Sequence, residues 1–303
     1  MGDPAGTDTA QAWLTRDRDA GRDNREQARL ERLLTQIRDR VLAGAHLRPG
    51  QDVLDVGAGT GLLSIEAAAR VAPGGSVTAL DQSAAALTAI TPPASAAVHR
   101  VAGDAHRLPL ASRTVHAVLT RSVLIYLDDL HMALREVARV LRPGGRLSAF
   151  EPVNRRRQHN ADLTGMTAQE LAAIDALRTH SSPTAPAMMA FTEDRLIAAV
   201  MAAGLTVATL RTESLTDRLD SHQAVDAYLH RRPHPGAPTA VELVTANLGP
   251  DTAARYTTAW HDALDQAATR GGITFTTPVL YLTATLTRSK VLSYPSQPLG
   301  PRA

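Results

Sequence analysis

Val53-Leu54-Asp55-Val56-Gly57-Ala58-Gly59-Thr60-Gly61 is a short apolar run that dissolves into three closely spaced glycines, with Leu62-Leu63-Ser64-Ile65 directly behind them. The run reads as a strand over Val53 to Val56, and the pattern from Leu62 to Val71 reads as a helix. Glycines at 57, 59 and 61 let the chain turn sharply and let a ligand approach the backbone closely. The helix start behind them offers amides with no partner inside the helix. Dinucleotide-binding folds also use a glycine-rich turn, but theirs is G-x-G-x-x-G, built to seat a pyrophosphate. Here the spacing is G-x-G-x-G, Leu62 stands where the last glycine would be, and the acidic Asp55 is poor company for a pyrophosphate.

Outward from this turn the chain alternates. The helical stripe Leu30, Leu33, Leu34, Ile37, Val41, Leu42 precedes it and ends at Pro49-Gly50. After it come strands at Val77 to Leu80, Val98 to Ala102, Val115 to Leu119 and Arg146 to Phe150, with helices over Ala84 to Ile90 and Asp129 to Leu141 between them. Strands alternating with helices imply right-handed crossovers and a parallel sheet. The rhythm breaks over 153–190. A helix from Glu193 to Ala203 then leads into a sixth strand, Thr206 to Arg211, and a helical, proline-containing stretch precedes a last strand, Val279 to Leu286. The expected division is an N-terminal helical lid (1–47), a ligand-binding core (48–152), a helical segment with strand six (153–213), a helical cap (214–278), the last strand (279–290) and a flexible tail (291–303).

Composition narrows the function. Hydrophobic residues make up 44% and charged residues 20% of 303, ordinary for a folded chain, and the formal net charge is only +2. That leaves no general positive field for nucleic acid, and 3% aromatic residues make a poor stacking platform. The absence of cysteine excludes disulfides, thiolate metal sites and thiol chemistry, arsenite handling included. It fits a cytoplasmic protein, as do a polar start and the lack of any apolar run long enough to span a membrane.

Four further motifs follow the glycine turn in order. Asp81 ends the second strand, Gly103-Asp104-Ala105 follows the third, Arg121-Ser122-Val123-Leu124 the fourth, and Leu141-Arg142-Pro143-Gly144-Gly145 precedes the fifth. Together with the turn they resemble class I S-adenosylmethionine-dependent methyltransferases over residues 50–152. The Leu108-Pro109 and Ser122-Val123-Leu124 pieces resemble the small-molecule branch of ubiquinone/menaquinone type. Glu151-Pro152-Val153-Asn154 resembles a set of actinobacterial relatives. The resemblance implies a Rossmann-like, seven-stranded α/β sheet, its last strand antiparallel, with the N-terminal lid and the cap over it. It implies S-adenosylmethionine as methyl donor, held by Asp55, Gly57, Ala58, Gly59, Gly61, Asp81, Gln82, Gly103, Asp104, Ala105, Arg121 and Ser122. Asp81 would accept from both ribose hydroxyls and Asp104 from the adenine amino group. The expected partner is a small-molecule acceptor, methylated at O, N or C. No nucleic acid, membrane or metal is expected, and a homodimer is left open.

Methyl transfer is an in-line displacement that needs alignment above all. A base is required only where the acceptor must lose a proton early. His106, Tyr126 and Glu151 are the catalytic candidates, and Tyr126, Glu151 and Asn154 the substrate-binding ones, because open α/β sheets bind ligands beyond the strands' carboxyl ends. The bland readings are a rim position for His106 and aromatic packing for Tyr126. Arg155-Arg156-Arg157 would attract an anionic acceptor, although a loop charge run is more often solvated. Trp13 with Arg16 fits either a lid or plain helix packing. His222, His230 and His234 lack the ligand spacing of a metal site. Two other functions remain open: a donor-binding protein that catalyses cyclisation or rearrangement without transfer, and an RNA or protein methyltransferase.

Overall fold

The computed structural model describes residues 24–92, 97–178, 187–232 and 237–287. Trp13, Arg16, His234 and the 291–303 tail lie outside the described residues. In chain order the elements are α1 (Asn24–Ala45), β1 (Asp52–Val56), α2 (Leu62–Val71), β2 (Ser76–Asp81), α3 (Ala84–Thr88), β3 (Ala97–Ala102), β4 (Val115–Arg121), α4 (Leu130–Val140), β5 (Leu141–Pro152), β6 (Gln158–His159), α5 (Ala168–Arg178), α6 (Ala187–Ala190), α7 (Glu193–Ala202), β7 (Leu205–Leu219), α8 (His222–His230), α9 (Ala240–Leu248), α10 (Pro250–Ala267) and β8 (Ile273–Leu286).

The sheet is Rossmann-like, with the order β3-β2-β1-β4-β5-β8 and β7 on the far side of β8. Strands β1 to β5 are parallel, and β8 runs antiparallel to both of its long neighbours. Local chemistry agrees with this layout. Helix α4 starts on the Asp129 side chain, which accepts from the Met132 amide, and buries the stripe Leu130, Ala133, Leu134, Val137 and Val140 against the sheet. Thr192 caps α7 ahead of Glu193 and Asp194, whose charges suit a helix start. Thr239 and Glu242 form a reciprocal capping box on α9.

Three expectations need correcting. First, β7 does not end near Arg211 nor β8 begin at Val279: the two pair without interruption from Leu205↔Leu286 to Leu219↔Ile273, apart from a bulge near Val207. The outer half of this β7 segment, Thr212 to Arg218, is polar but for Leu215 and is held by the backbone ladder, so no hydrophobic alternation announces it. Second, the sheet has eight strands among the described residues, because the two-residue β6 pairs with Phe275 and Thr276 of β8. Third, α1 is not simply a lid. Ile37, Val41, Leu42 and Ala45 are buried with Val53, Leu63, Phe150 and Val279, so most of the helix belongs to the sheet's own core. Its close approach is made at Gly44, where a methyl group would stand 2.6 Å from Ser148 Oγ, itself donating to the Val41 carbonyl at 2.7 Å.

The extended β7–β8 hairpin carries a second core beyond the strand ends. Trp260 of α10 lies parallel to Phe275 at 5.8 Å, and Leu219, Val225, Leu229 and Tyr256 close around them. Leu163, Met166 and Ile174, from the segment after β5, join the same cluster. On the cap surface His222 of α8 and His261 of α10 meet with Nδ1 atoms 2.6 Å apart, in rings only 10° from parallel with centroids 4.8 Å apart. Those values place the rings edge to edge in one plane, so an N–H···N bond joins the two helices, with Asp265 and Asp226 on the outer nitrogens.

Candidate active site

The three turn glycines all have left-handed backbones, with φ of +69° at Gly57, +53° at Gly59 and +91° at Gly61. They differ in what a side chain would meet. A methyl group on Gly57 would stand 2.2 Å from Val123 Cγ2, and one on Gly61 would press Ile90 at 3.0 Å. On Gly59 it would meet nothing within 4 Å. Gly57 and Gly61 therefore serve packing, whereas Gly59 borders open space.

Asp81, at the end of β2, reaches into the same turn. Its Oδ2 accepts from the Gly59 amide at 2.8 Å and its Oδ1 from the Ser83 amide at 2.9 Å. Each carboxylate oxygen retains a further lone pair. Ala58 donates its amide to the Leu80 carbonyl, and Gln82 is exposed beside Asp81. Asp55 does not share that space. It is buried and accepts from Ser64 Oγ at 2.6 Å, which ties β1 to α2. Burial pushes its carboxyl up to about 7, with the Asp81 charge adding to the rise and the Ser64 hydroxyl and Arg121 opposing it. As a ligand contact through its side chain Asp55 is thus corrected: it braces the turn from behind.

At the end of β3 the Gly103 amide donates to the Asp81 carbonyl. Asp104 is exposed, its Oδ1 accepting from the His106 amide at 2.9 Å and facing His106 Nδ1 at 2.8 Å. The amide first, then the imidazole, holds the Asp104 carboxyl below its ordinary range. Ala105 is buried under this corner.

The end of β4 is shaped by Glu151. Arg121 leads to Ser122, a non-glycine residue at φ +54° whose amide donates to the Phe150 carbonyl. Glu151 Oε1 then accepts from Val123 and Leu124, and Oε2 from Ile125, at 3.0–3.2 Å. The carboxyl has no exposed surface, and burial pushes it up to about 7 against those amides and Arg121. Glu151, a candidate for catalysis and substrate contact, is thereby corrected to a residue enclosed in the protein that positions the short 3-10 turn Leu124–Tyr126. Val123, which touches Gly57, links that turn to the glycine turn. Burial, helped by the Glu151 charge, pushes the Tyr126 phenol up to about 12, so it keeps its proton at neutral pH.

Tyr126 and Asn154 both face a cavity of about 700 Å³ that opens beyond β4 and β5. Asn154 Nδ2 also contacts Met188 Sδ at 3.5 Å. The sheet contributes Arg121, Phe150 and Pro152, α1 contributes Leu30, Leu33 and Ile37, and the cap contributes Tyr228, Leu243, Val244 and Tyr256. The charged residues lining it, among those described, are Arg29, Arg121, Arg157, Arg218 and Arg231 against Asp217 and Asp220. His106 is not among the lining residues. The arginine run divides: Arg155 and Arg156 are exposed, while Arg157 turns inward and stacks on Phe275 at 4.2 Å. Alternation of exposure from Arg156 to Asn160 marks the short strand β6, a signal too brief to read beforehand. The cap arginines were missed altogether, since an arginine at a helix end, like Arg231 after α8, looks like any solvated charge. Among the described residues no group of three or more histidine, aspartate or glutamate side chains gathers as a metal site.

Residues 54–149 match the family model described as a methyltransferase domain. That match covers less than half of the chain and marks residues 54–149 as methyltransferase-like. The matched region runs from within β1 to most of β5 and holds the glycine turn, Asp81, Asp104 and Ser122. Over 103 residues it is 44% identical to a demethylmenaquinone methyltransferase of Mycolicibacterium paratuberculosis, covering 34% of this chain and 42% of that one. Over 118 residues it is 38% identical to an uncharacterised 37.1 kDa transposon protein of Streptomyces fradiae, covering 37% of this chain and 33% of that one. The matches therefore span less than half the length of these curated relatives. The fold is shared with the YcgJ protein of Bacillus subtilis, at TM-score 0.51 and 19% identity over 82% of this chain and 97% of that one. A crystal structure from Bacillus halodurans matches likewise, at TM-score 0.51 and 17% identity over 82% and 98%. No helix among the described residues is long and apolar enough to cross a membrane.

Proposed function

We propose that this chain transfers a methyl group from S-adenosylmethionine to a small organic acceptor held in the cavity between the sheet and the cap. The observation that carries the reading is the open space beside Gly59, whose amide is bonded to the Asp81 carboxylate and which lies at the same carboxyl end of the sheet as the cavity. The residues suit such a donor. Asp81 has acceptor capacity left for a cis-diol, Gly59 admits close approach, and the exposed Asp104 keeps a carboxylate at the end of β3. Bound there, S-adenosylmethionine supplies an electrophilic methyl on a sulfonium centre.

The chain's own part is alignment and exclusion of water. Glu151 holds the 3-10 turn that carries Tyr126, and Tyr126 presents a protonated phenol as a hydrogen-bond donor to the acceptor, not as a base. Asn154 adds a polar contact on the β5 side, and the cap walls shield the acceptor. Calorimetry with S-adenosylmethionine, S-adenosylhomocysteine and NADH tests the donor, and mass spectrometry of reactions with small-molecule acceptors tests the transfer. Micromolar affinity for both sulfur compounds and none for NADH supports the reading. Failure of both sulfur compounds to bind overturns it.

A further inference from the structure

We propose that the acceptor is an elongated, largely apolar molecule ending in an oxyanion, carboxylate or phosphate, which Arg157 and Arg231 hold at the cap end of the cavity. This rests on the methyl-transfer reading above and names the class of molecule that the same site takes.

Most of the wall is aliphatic, methionine and aromatic side chains, which suits an acceptor that is apolar along much of its length. The charge on those walls is one-sided: five arginines against two aspartates among the described residues. Arg121 stands apart from the other arginines, because it lies within electrostatic reach of the buried Asp55 and Glu151 at the donor side. Arg157 and Arg231 belong to the opposite end. The Arg157 guanidinium lies over Phe275 at 4.2 Å and near Tyr228 at 5.8 Å, and Arg231 follows three residues after Tyr228, at the end of α8. Cation–π attraction to an aromatic face helps hold a guanidinium in place, and a guanidinium's planar fork of N–H donors suits a carboxylate or a phosphate. Five donors on each guanidinium allow it to serve protein neighbours and a ligand together. A methyl donor at Gly59 and an anion at the cap end would fix the acceptor at both ends, leaving its reactive atom beside Tyr126. Of the 155–157 run, which as a whole would attract an anionic acceptor, only Arg157 faces inward.

The test is calorimetry on the full chain with octanoate, octyl phosphate and octanol, each with and without saturating S-adenosylhomocysteine. The expected result is that at least one anion binds about tenfold more tightly than octanol. Which of the two binds identifies the oxyanion. Arg157→Gln and Arg231→Gln should each weaken that anion about fivefold or more and leave octanol unchanged. Circular dichroism and S-adenosylhomocysteine affinity serve as controls that the variants fold. Octanol binding as well as the anions, or neither anion binding, overturns the proposal in the wild-type chain alone. Failure of S-adenosylhomocysteine itself to bind strikes at the methyl-transfer reading, and is measured separately from the anion series.

Discussion

The amide of Gly59 donates to Asp81 Oδ2 at 2.8 Å, so the residue that opens the turn to a ligand is bonded to the carboxylate that would hold it. The glycine turn and the end of β2 therefore act as one unit. A change in either is felt by the other.

Asp81→Ala removes the acceptor for the Gly59 and Ser83 amides as well as the proposed ribose contact. It should weaken S-adenosylmethionine binding by roughly 1–3 kcal/mol, measured by calorimetry. Unchanged affinity would sink the ribose role.

Gly59 and Gly57 should respond differently. Gly59→Val projects into open space at φ +53°, so it should abolish donor binding while the chain still folds, at a backbone cost of about 1–2 kcal/mol. Gly57→Val drives into Val123 and should lower the melting temperature far more. Equal thermal shifts in the two variants would contradict this division between ligand space and packing.

Glu151→Ala leaves the Val123, Leu124 and Ile125 amides facing a void, which should cost about 3 kcal/mol or more in denaturant unfolding. If Glu151 were a substrate contact and not a brace, activity would fall with stability intact.

Asp55 and Glu151 also set a pH dependence. Folding raises their carboxyls from ordinary values of 3.8 and 4.5 to about 7, so between about pH 4 and 7 the folded chain binds more protons than the unfolded one. The stability they contribute is complete below pH 4, declines as pH rises, and is gone above about 7. Asp55→Asn should therefore compare more favourably with wild type at pH 8 than at pH 5 in melting temperature. A difference that does not change with pH would rule out the buried, proton-holding carboxyl.

Gly44→Ala would place a methyl group 2.6 Å from Ser148 Oγ and 2.7 Å from Thr283 Cγ2, prising α1 off the sheet. A loss of about 1–3 kcal/mol is expected from denaturant melts. Because Leu33 and Ile37 of α1 line the cavity, acceptor affinity should fall as well.

Much of this architecture can be read along the chain, and the reason is local. Strands β1, β2, β4 and β5 are largely buried and appear as apolar runs punctuated by Gly and Pro, and the glycine turn, Asp81 and, after the more exposed β3, Asp104 follow in order. Each of those signals depends on a few neighbouring residues. The active-site details are not local. Glu151 and Asp55 read as carboxylates at strand ends, open to a ligand, and only the packing of β4 against β5 and of α2 against β1 shows that both are enclosed and bonded inward. The outer half of β7 is polar and gains its structure from β8, whose pairing residues lie more than fifty positions away. Arg157 and Arg231 are 74 residues apart and meet the same cavity only because that hairpin carries the cap back over the sheet. Short-range pattern thus specifies the sheet and the glycine turn, whereas the cavity and its charge exist only once long-range strand pairing has closed it.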